Sequence, residues 1–398
     1  MTPSNIVQHR VGGWLPQDHN IIRRWLAAKI EQAEKSSPVD FVPVIKDFQN
    51  FIEGDDAILA LFTEMFTQVP HRPPYNLDPS QQPQATPEFT QDALVGFPIN
   101  AILDWPMGTP SGFTAFYLRS VNTHMAAILN TWGNFLMSED SRYVLNSDPG
   151  GWFSPVALEE ISIDDYIADP TLPYYGFTSW DNFFTRQFKD GKRPVPDPED
   201  KRIITSACES AVYNFVSDVR YHDLFWLKEK SYSLADMLAG HQHARQFAKG
   251  TVYQAYLSAL NYHRWHAPVS GTVVDTQLVP GTYYSETPVV GMDPSAPNNS
   301  QGYLTAVATR AMIYIQADNH NIGLMCFMAV GMAEVSTCEI TVQKGDVLKQ
   351  GQEIGMFHFG GSTHCLIFRP ETKVQFVDTV KIGADILLNA PIAFVDDK

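Results

Sequence analysis

Apolar residues recur at helical spacing through the first 165 residues of the chain. Ile21, Ile22, Trp25, Leu26 and Ile30 make one stripe, and Val44, Ile45, Phe48, Phe51 and Ile52 make a second. Gly54 breaks the second stripe. Asp55 then stands where it can cap a third helix carrying Ile58, Leu59, Phe62, Met65 and Phe66. A longer amphipathic run holds Phe113, Phe116, Val121, Met125, Ile128, Trp132 and Phe135. Residues 68–89 between these stripes contain six prolines, which exclude a helix and predict an extended surface loop. Core packing alone accounts for stripes of this kind.

From about residue 200 the period changes. Short β-rich runs appear at 250–257, 271–279, 311–317, 323–332, 334–342 and 364–368, punctuated by Gly, Pro, Asn and Asp. The pattern predicts an α+β protein: a helical N-terminal domain (1–168), a connector (169–200) and a β-rich C-terminal domain (201–398). No repeat of solenoid period occurs. Residues 344–355, KGDVLKQGQEIG, place glycines between short strands and resemble the hairpin sandwich of lipoyl and biotinyl carrier domains.

Composition narrows the function classes. Of the 398 residues 44% are hydrophobic and 18% charged, a folding composition with ample material for a large core. The net charge of −16 disfavours nucleic acid and anionic lipid surfaces as partners. No run approaches 18 apolar residues, so no membrane span is expected. The first twenty residues lack the apolar core of a secretion signal, and Cys208, Cys326, Cys338 and Cys365 show no CxxC spacing. A cytoplasmic protein with reduced, buried thiols is the expectation.

Three constellations could carry chemistry. In HFGGSTHCLIF (358–368), Gly360 and Gly361 precede Ser362 and Thr363. A serine after glycine in a tight turn can attack the preceding carbonyl, though an ordinary Gly-Gly-Ser-Thr turn has the same composition. The fragment is not a G-x-S-x-G elbow, because His364 stands where the second glycine is needed. In YHRWHAPVSGTV (262–273), His263 and His266 are candidate proton carriers, or buried structural histidines. HExxH is absent and no Cys pair is near, so no metal site is expected. In TSACESAVYNF (205–215), Glu209 sits at a probable strand edge, as an orienting acid or a solvated surface carboxylate.

Together these segments resemble the phosphatidylserine decarboxylase family in order and spacing. YHRWHAPVSG (262–271) matches its Y-H-R-x-H-x-P-x-x-G block, FHFGGSTHCLIF (357–368) its G-S-T processing site, and SACES (206–210) its S-P-x-D-G block. Residues 177–195, 225–238, 280–285 and 330–341 add smaller matches, so the resemblance covers roughly 170–398. It implies a proenzyme that cleaves itself between Gly361 and Ser362 and leaves fragments 1–361 and 362–398 associated non-covalently. The serine hydroxyl attacks the preceding carbonyl, the amide becomes an ester, elimination leaves dehydroalanine, and loss of ammonia leaves a pyruvoyl group. That group, formed from Ser362, would serve in place of pyridoxal phosphate. By the same resemblance His266 is the self-cleavage base, His263 serves substrate protonation, and Glu209 stands where the family has an orienting aspartate. This last departure leaves Asp275 and Asp318 as fallback acids. The G-S-T site is expected inside a β-hairpin, in a domain with a lipoyl-like hairpin sandwich.

The resemblance divides on substrate. Residues 44–66 and 131–145, YHRWHAP and MFHFGGS are similar to the soluble fungal tryptophan decarboxylases of that family rather than its lipid enzymes. A free aromatic L-amino acid is therefore the expected small-molecule substrate, with tryptophan first and phenylalanine or tyrosine open. Thr363 and His364 are candidate substrate contacts. A homodimer stays open. The alternatives are a phosphatidylserine decarboxylase and a non-catalytic lipoyl-like binding domain. A carrier, however, needs a lysine at the hairpin tip, where this chain has Gly361-Ser362-Thr363.

Overall fold

The computed structural model describes residues 19–36, 41–68, 95–148, 150–223, 232–287, 300–334, 337–359 and 362–396. Helices dominate before residue 185 and strands after residue 202. The three N-terminal stripes form helices His19–Lys35, Pro43–Glu53 and Asp56–Thr67. Asp55 caps the third, accepting from Ala57 N at 2.9 Å and Ile58 N at 3.2 Å. The loop expected over 68–89 lies outside the described residues apart from Gln68.

The long run over 113–135 is not one helix. It is split into Pro110–Tyr117 and Arg119–Leu136 by Leu118, whose ψ of 129° is extended. The physical reason is Asn122. Its side-chain amide donates to the carbonyls of Phe116 (2.7 Å) and Leu118 (2.9 Å), so the turn competes with helix continuation. Apolar periodicity does not register that competition.

The strands are β1 (Ile203–Thr205), β2 (Ser210–Val216), β3 (Thr251–Leu257), β4 (Arg264–His266), β5 (Gly271–Val279), β6 (Arg310–Ala317), β7 (Leu324–Gly331), β8 (Thr337–Ile340), β9 (Val347–Leu348), β10 (Glu353–His358), β11 (Ser362–Phe368), β12 (Gln375–Phe376), β13 (Asp385–Ile386) and β14 (Pro391–Phe394). They form an eight-stranded sheet, β13-β2-β3-β11-β7-β6-β5-β9, and two three-stranded sheets, β4-β10-β8 and β1-β14-β12. β3, β7 and β11 are buried along their whole length, which is why these segments read as near-continuous apolar runs.

The strands flanking the serine do not form a hairpin with each other. β10 pairs with β4 and β8, whereas β11 pairs with β3 and β7. The chain thus leaves one sheet after His358 and enters another at Ser362. Phe359 has φ of 64°, a left-handed conformation uncommon outside glycine, and it turns the chain out of β10.

One cluster of buried side chains runs from Ile58, Met65, Phe116 and Leu129 on the helices to Ile313, Phe327 and Leu366 in the large sheet. A second is mostly aromatic and joins Trp152, Phe153, Trp180, Phe183 and Phe184 to Tyr262 and Phe359. The segment between the two halves is therefore part of the packing around residue 359. Arg186 is buried there, stacks on Tyr166 at 4.4 Å, and donates to the carbonyls of Leu260 and Asn261. It anchors the loop that leads from β3 to β4.

Candidate active site

Ser362 is the first residue of β11 and has no solvent exposure. Its register partners are Leu257, the last residue of β3, and Gly331, the last of β7. Among the described residues its hydroxyl has no hydrogen-bond partner. A buried hydroxyl without a partner costs about 1–3 kcal/mol, so this atom is held at a price in stability that ordinary packing would avoid. Residues directly opposite in a sheet share a face, and so do residues two apart in a strand. Ser362 therefore shares its face with His364, and the neighbours across β3 and β7 on that face include Ala255, Ala329 and Gly331. Directly opposite Ser362 stand Leu257 on one side and Gly331, which has no side chain, on the other; the two alanines are opposite His364. Gly360 and Gly361, the glycines of the predicted cleavage site, lie outside the described residues.

Thr363 points to the other face. Its hydroxyl donates to the Ala255 carbonyl at 3.0 Å and accepts from Gln254 at 3.1 Å, and Gln254 accepts in turn from Tyr232. His364 is buried between Tyr253 and Phe327, with ring centroids 6.1 and 6.0 Å away. Burial pushes its pKa down to about 3, so the ring is neutral at physiological pH.

The two histidines of the YHRWH segment lie on different sides of β4. His263 is fully buried, stacked on Phe184 with centroids 3.9 Å apart, and its carbonyl accepts from Phe357 N. Its strand neighbour on the same side, Trp265, packs against Phe327 of the large sheet at 5.4 Å. His263 thus stands beside the end of β10 that leads to Ser362. His266 is opposite Glu353, at the beginning of β10. It donates from Nδ1 to the Gly351 carbonyl (2.7 Å), which leaves Nε2 to accept from the Tyr262 hydroxyl (2.8 Å). Burial lowers its pKa, partly offset by that carbonyl, so a neutral ring with a basic Nε2 is favoured.

Glu209 immediately precedes β2 and is not joined to either histidine. Its carboxylate is gripped by the Arg193 guanidinium, at 2.7 Å from Nη2 and 3.1 Å from Nε, and also accepts from Leu388 N at 2.7 Å. Arg193 is shared with Asp165. The fallback acids are engaged elsewhere: Asp275 with His241 at 3.2 Å, and Asp318 with Lys201 at 2.6 Å.

A further acid–histidine pair was invisible in the sequence. His358 is four residues before Ser362. Its Nδ1 meets Asp181 at 2.9 Å and its Nε2 meets Glu339 at 2.8 Å. Burial works against its charge, but Asp181 and then Glu339 outweigh it and raise the pKa. The site therefore holds two histidines biased neutral, His266 and His364, and one biased cationic, His358. Asp181 is 177 residues from His358 along the chain, and only the fold brings them together. Among the described residues no group of three His, Cys, Asp or Glu side chains is arranged to hold a metal, and no helix is long and apolar enough to cross a membrane. All four cysteines are free and buried.

Known proteins resemble this chain along most of its length. The phosphatidylserine decarboxylase family model matches residues 180–392, and a second phosphatidylserine decarboxylase model matches 42–88 and 83–161. The decarboxylase iboD of Amanita muscaria is 43% identical over 320 residues, covering 75% of this chain and 91% of that protein. The L-tryptophan decarboxylase of Psilocybe cyanescens is 35% identical over 414 residues, covering 96% of this chain and 94% of its own length. The phosphatidylserine decarboxylase proenzyme 3 of Schizosaccharomyces pombe is 27% identical over 249 residues, 58% of this chain and 25% of that protein.

Proposed function

Because the chain belongs to the phosphatidylserine decarboxylase family and is thus a carboxy-lyase, we propose that it is a self-processing enzyme that decarboxylates free aromatic L-amino acids, tryptophan foremost. The observation that carries the reading is the Ser362 hydroxyl, buried and without a partner among the described residues, at the head of a fully packed strand. Its attack on the Gly361 carbonyl exchanges the amide for an ester. Elimination then divides the chain into 1–361 and 362–398, and hydrolysis of the resulting dehydroalanine releases ammonia. The pyruvoyl group left on residue 362 supplies a ketone that takes up the electrons released with carbon dioxide.

The surrounding residues fit such a group. Gly331, opposite Ser362 on β7, has no side chain to crowd residue 362, and the burial of the strand excludes water. His263, on the Ser362 side of β4, is suited to deliver a proton to the substrate carbon. His266 is neutral and oriented by the Gly351 carbonyl and the Tyr262 hydroxyl, as a general base requires, and it takes the part of self-cleavage base that the family resemblance gives it. The Asp181–His358–Glu339 cluster holds the end of β10 from which the processing segment departs. Glu209, tied to Arg193, contributes to the fold of this region rather than to a histidine.

Free amino acid is favoured over phospholipid by the relatives that match along most of the chain, two of them named L-tryptophan decarboxylase. The net charge of −16 acts in the same direction, and we place the protein in the cytoplasm as part of the same reading. A carrier role lacks support, since Gly361-Ser362-Thr363 offers no lysine for attachment. The test is release of carbon dioxide by the purified, processed protein from tryptophan, tyrosine and phenylalanine, set against phosphatidylserine vesicles. Turnover of the free amino acids alone is the expected result. Turnover of the vesicles alone overturns the substrate assignment.

A further inference from the structure

The helix Pro98–Met107 begins without a capping side chain of its own. Its open amide is met from the β-rich region: Glu334 Oε1 accepts from Asn100 N at 2.7 Å, across 234 residues of chain. Glu334 and Asn100 are both fully buried, as is Tyr284. Among the described residues Glu334 Oε2, both polar atoms of the Asn100 side chain and the Tyr284 hydroxyl have no hydrogen-bond partner. The helix cap explains Oε1, and the backbone at Ile99 and at Glu334 itself also supports the carboxylate, whose pKa burial nonetheless raises to about 7. Oε2, the Asn100 side chain and the Tyr284 hydroxyl remain shut away from solvent without a partner among the described residues, each costing about 1–3 kcal/mol unless something binds there. Burial, with Glu334 nearby, holds the Tyr284 phenol protonated, and its ring packs beside Phe116 at 6.0 Å.

This cluster is next to the reactive strand. Gly331 is the register partner of Ser362, and Glu334 follows it by three residues, at most about 10 Å of chain. Between them Ala333 has φ of 54°, a strained conformation for a residue with a side chain, and its amide is tied to the Tyr283 carbonyl. The strained turn carries the chain from Gly331 to the cluster.

Resting on the reading that the enzyme takes free aromatic amino acids, we propose that Glu334, Asn100 and Tyr284 form the far end of the substrate site and select for an N–H or O–H donor on the substrate ring. Glu334 Oε2 and Asn100 Oδ1 accept from that donor. The Asn100 amide and the Tyr284 hydroxyl are donors, from which a ring hydroxyl oxygen can accept and an indole N–H cannot. A site built to bond a ring donor rejects an analogue that lacks it, because its own buried atoms are then left bare.

The test compares tryptophan with β-(3-benzothienyl)alanine, in which sulfur replaces the ring N–H in a ring of nearly the same shape. For the processed wild-type enzyme kcat/KM should favour tryptophan by on the order of 10²-fold or more. Glu334→Gln keeps an acceptor for the Asn100 amide, so self-cleavage persists and the preference falls at least tenfold. If Glu334→Gln is not processed, Asn100→Ala, which retains the capped backbone amide, serves for the same comparison. An unchanged preference in a processed variant, or wild-type turnover of both substrates at equal kcat/KM, overturns the inference while the decarboxylase reading stands. Failure of the wild type to turn over any free aromatic amino acid overturns both.

Discussion

The eight-stranded sheet around Ser362 is apolar and closely packed, whereas the three-stranded sheet beside it is laced with titratable side chains. In the large sheet β3, β7 and β11 have no exposed residue, and Ser362 is held between Leu257 and Gly331 with its hydroxyl uncommitted. In the small sheet the titratable side chains of β4 and β10 are committed: His266 to Gly351 and Tyr262, Arg264 to Glu353, His358 to Asp181 and Glu339. The difference separates two tasks. A rigid apolar strand fixes where the nucleophile is, and a hydrogen-bonded framework sets the protonation state of each imidazole around it.

The largest expected effect tests the first task. Ser362→Ala should leave one uncut chain with no decarboxylase activity, as seen on a denaturing gel and in a carbon dioxide assay. Full activity in that variant would remove the distinction between the two sheets altogether. Next come the histidines. His263→Ala should be cut yet lose at least 10²-fold in turnover, the usual scale for a lost proton donor. His266→Ala should slow self-cleavage by a similar factor. Normal cutting and turnover in both would mean that the small sheet only supports the fold.

A smaller effect concerns charge in the small sheet. His358 has a folded pKa raised above its ordinary value of 6.5, chiefly through Asp181 once burial is overcome. The stability it contributes is complete below the ordinary value and is lost as pH rises through the raised one. Asp181→Asn should lower the unfolding midpoint below pH 6.5 and flatten the decline at higher pH. An undiminished decline would locate the titrating group elsewhere. The smallest effect is at Glu209→Gln. Loss of the Arg193 ion pair should cost about 1–3 kcal/mol in unfolding measurements while processing proceeds normally. Abolished processing would return Glu209 to the role of orienting acid.

How much of this could be read from the chain varies by element. The strands were legible because buried central strands make unbroken apolar runs such as CLIF in β11 and LMCFMAVG in β7. The helix over 56–67 was legible because Asp55 is a local cap. The break at Leu118 was not, since it depends on Asn122 bonding backwards to two carbonyls. Glycine-serine spacing suggested a hairpin at 358–368, but pairing is decided by distant partners, and β10 and β11 take theirs from different sheets. Ser362, His263 and His266 could be nominated because their motifs are local. Asp181 and Glu334 could not, because their partners are 177 and 234 residues away.

The most direct test is the intact mass of the purified chain under denaturing conditions. The account predicts two species, 1–361 and 362–398. The smaller should be lighter by one ammonia than a fragment beginning with serine, and blocked to N-terminal sequencing. A single species at the full 44.6 kDa, in a preparation that decarboxylates amino acids, would contradict it.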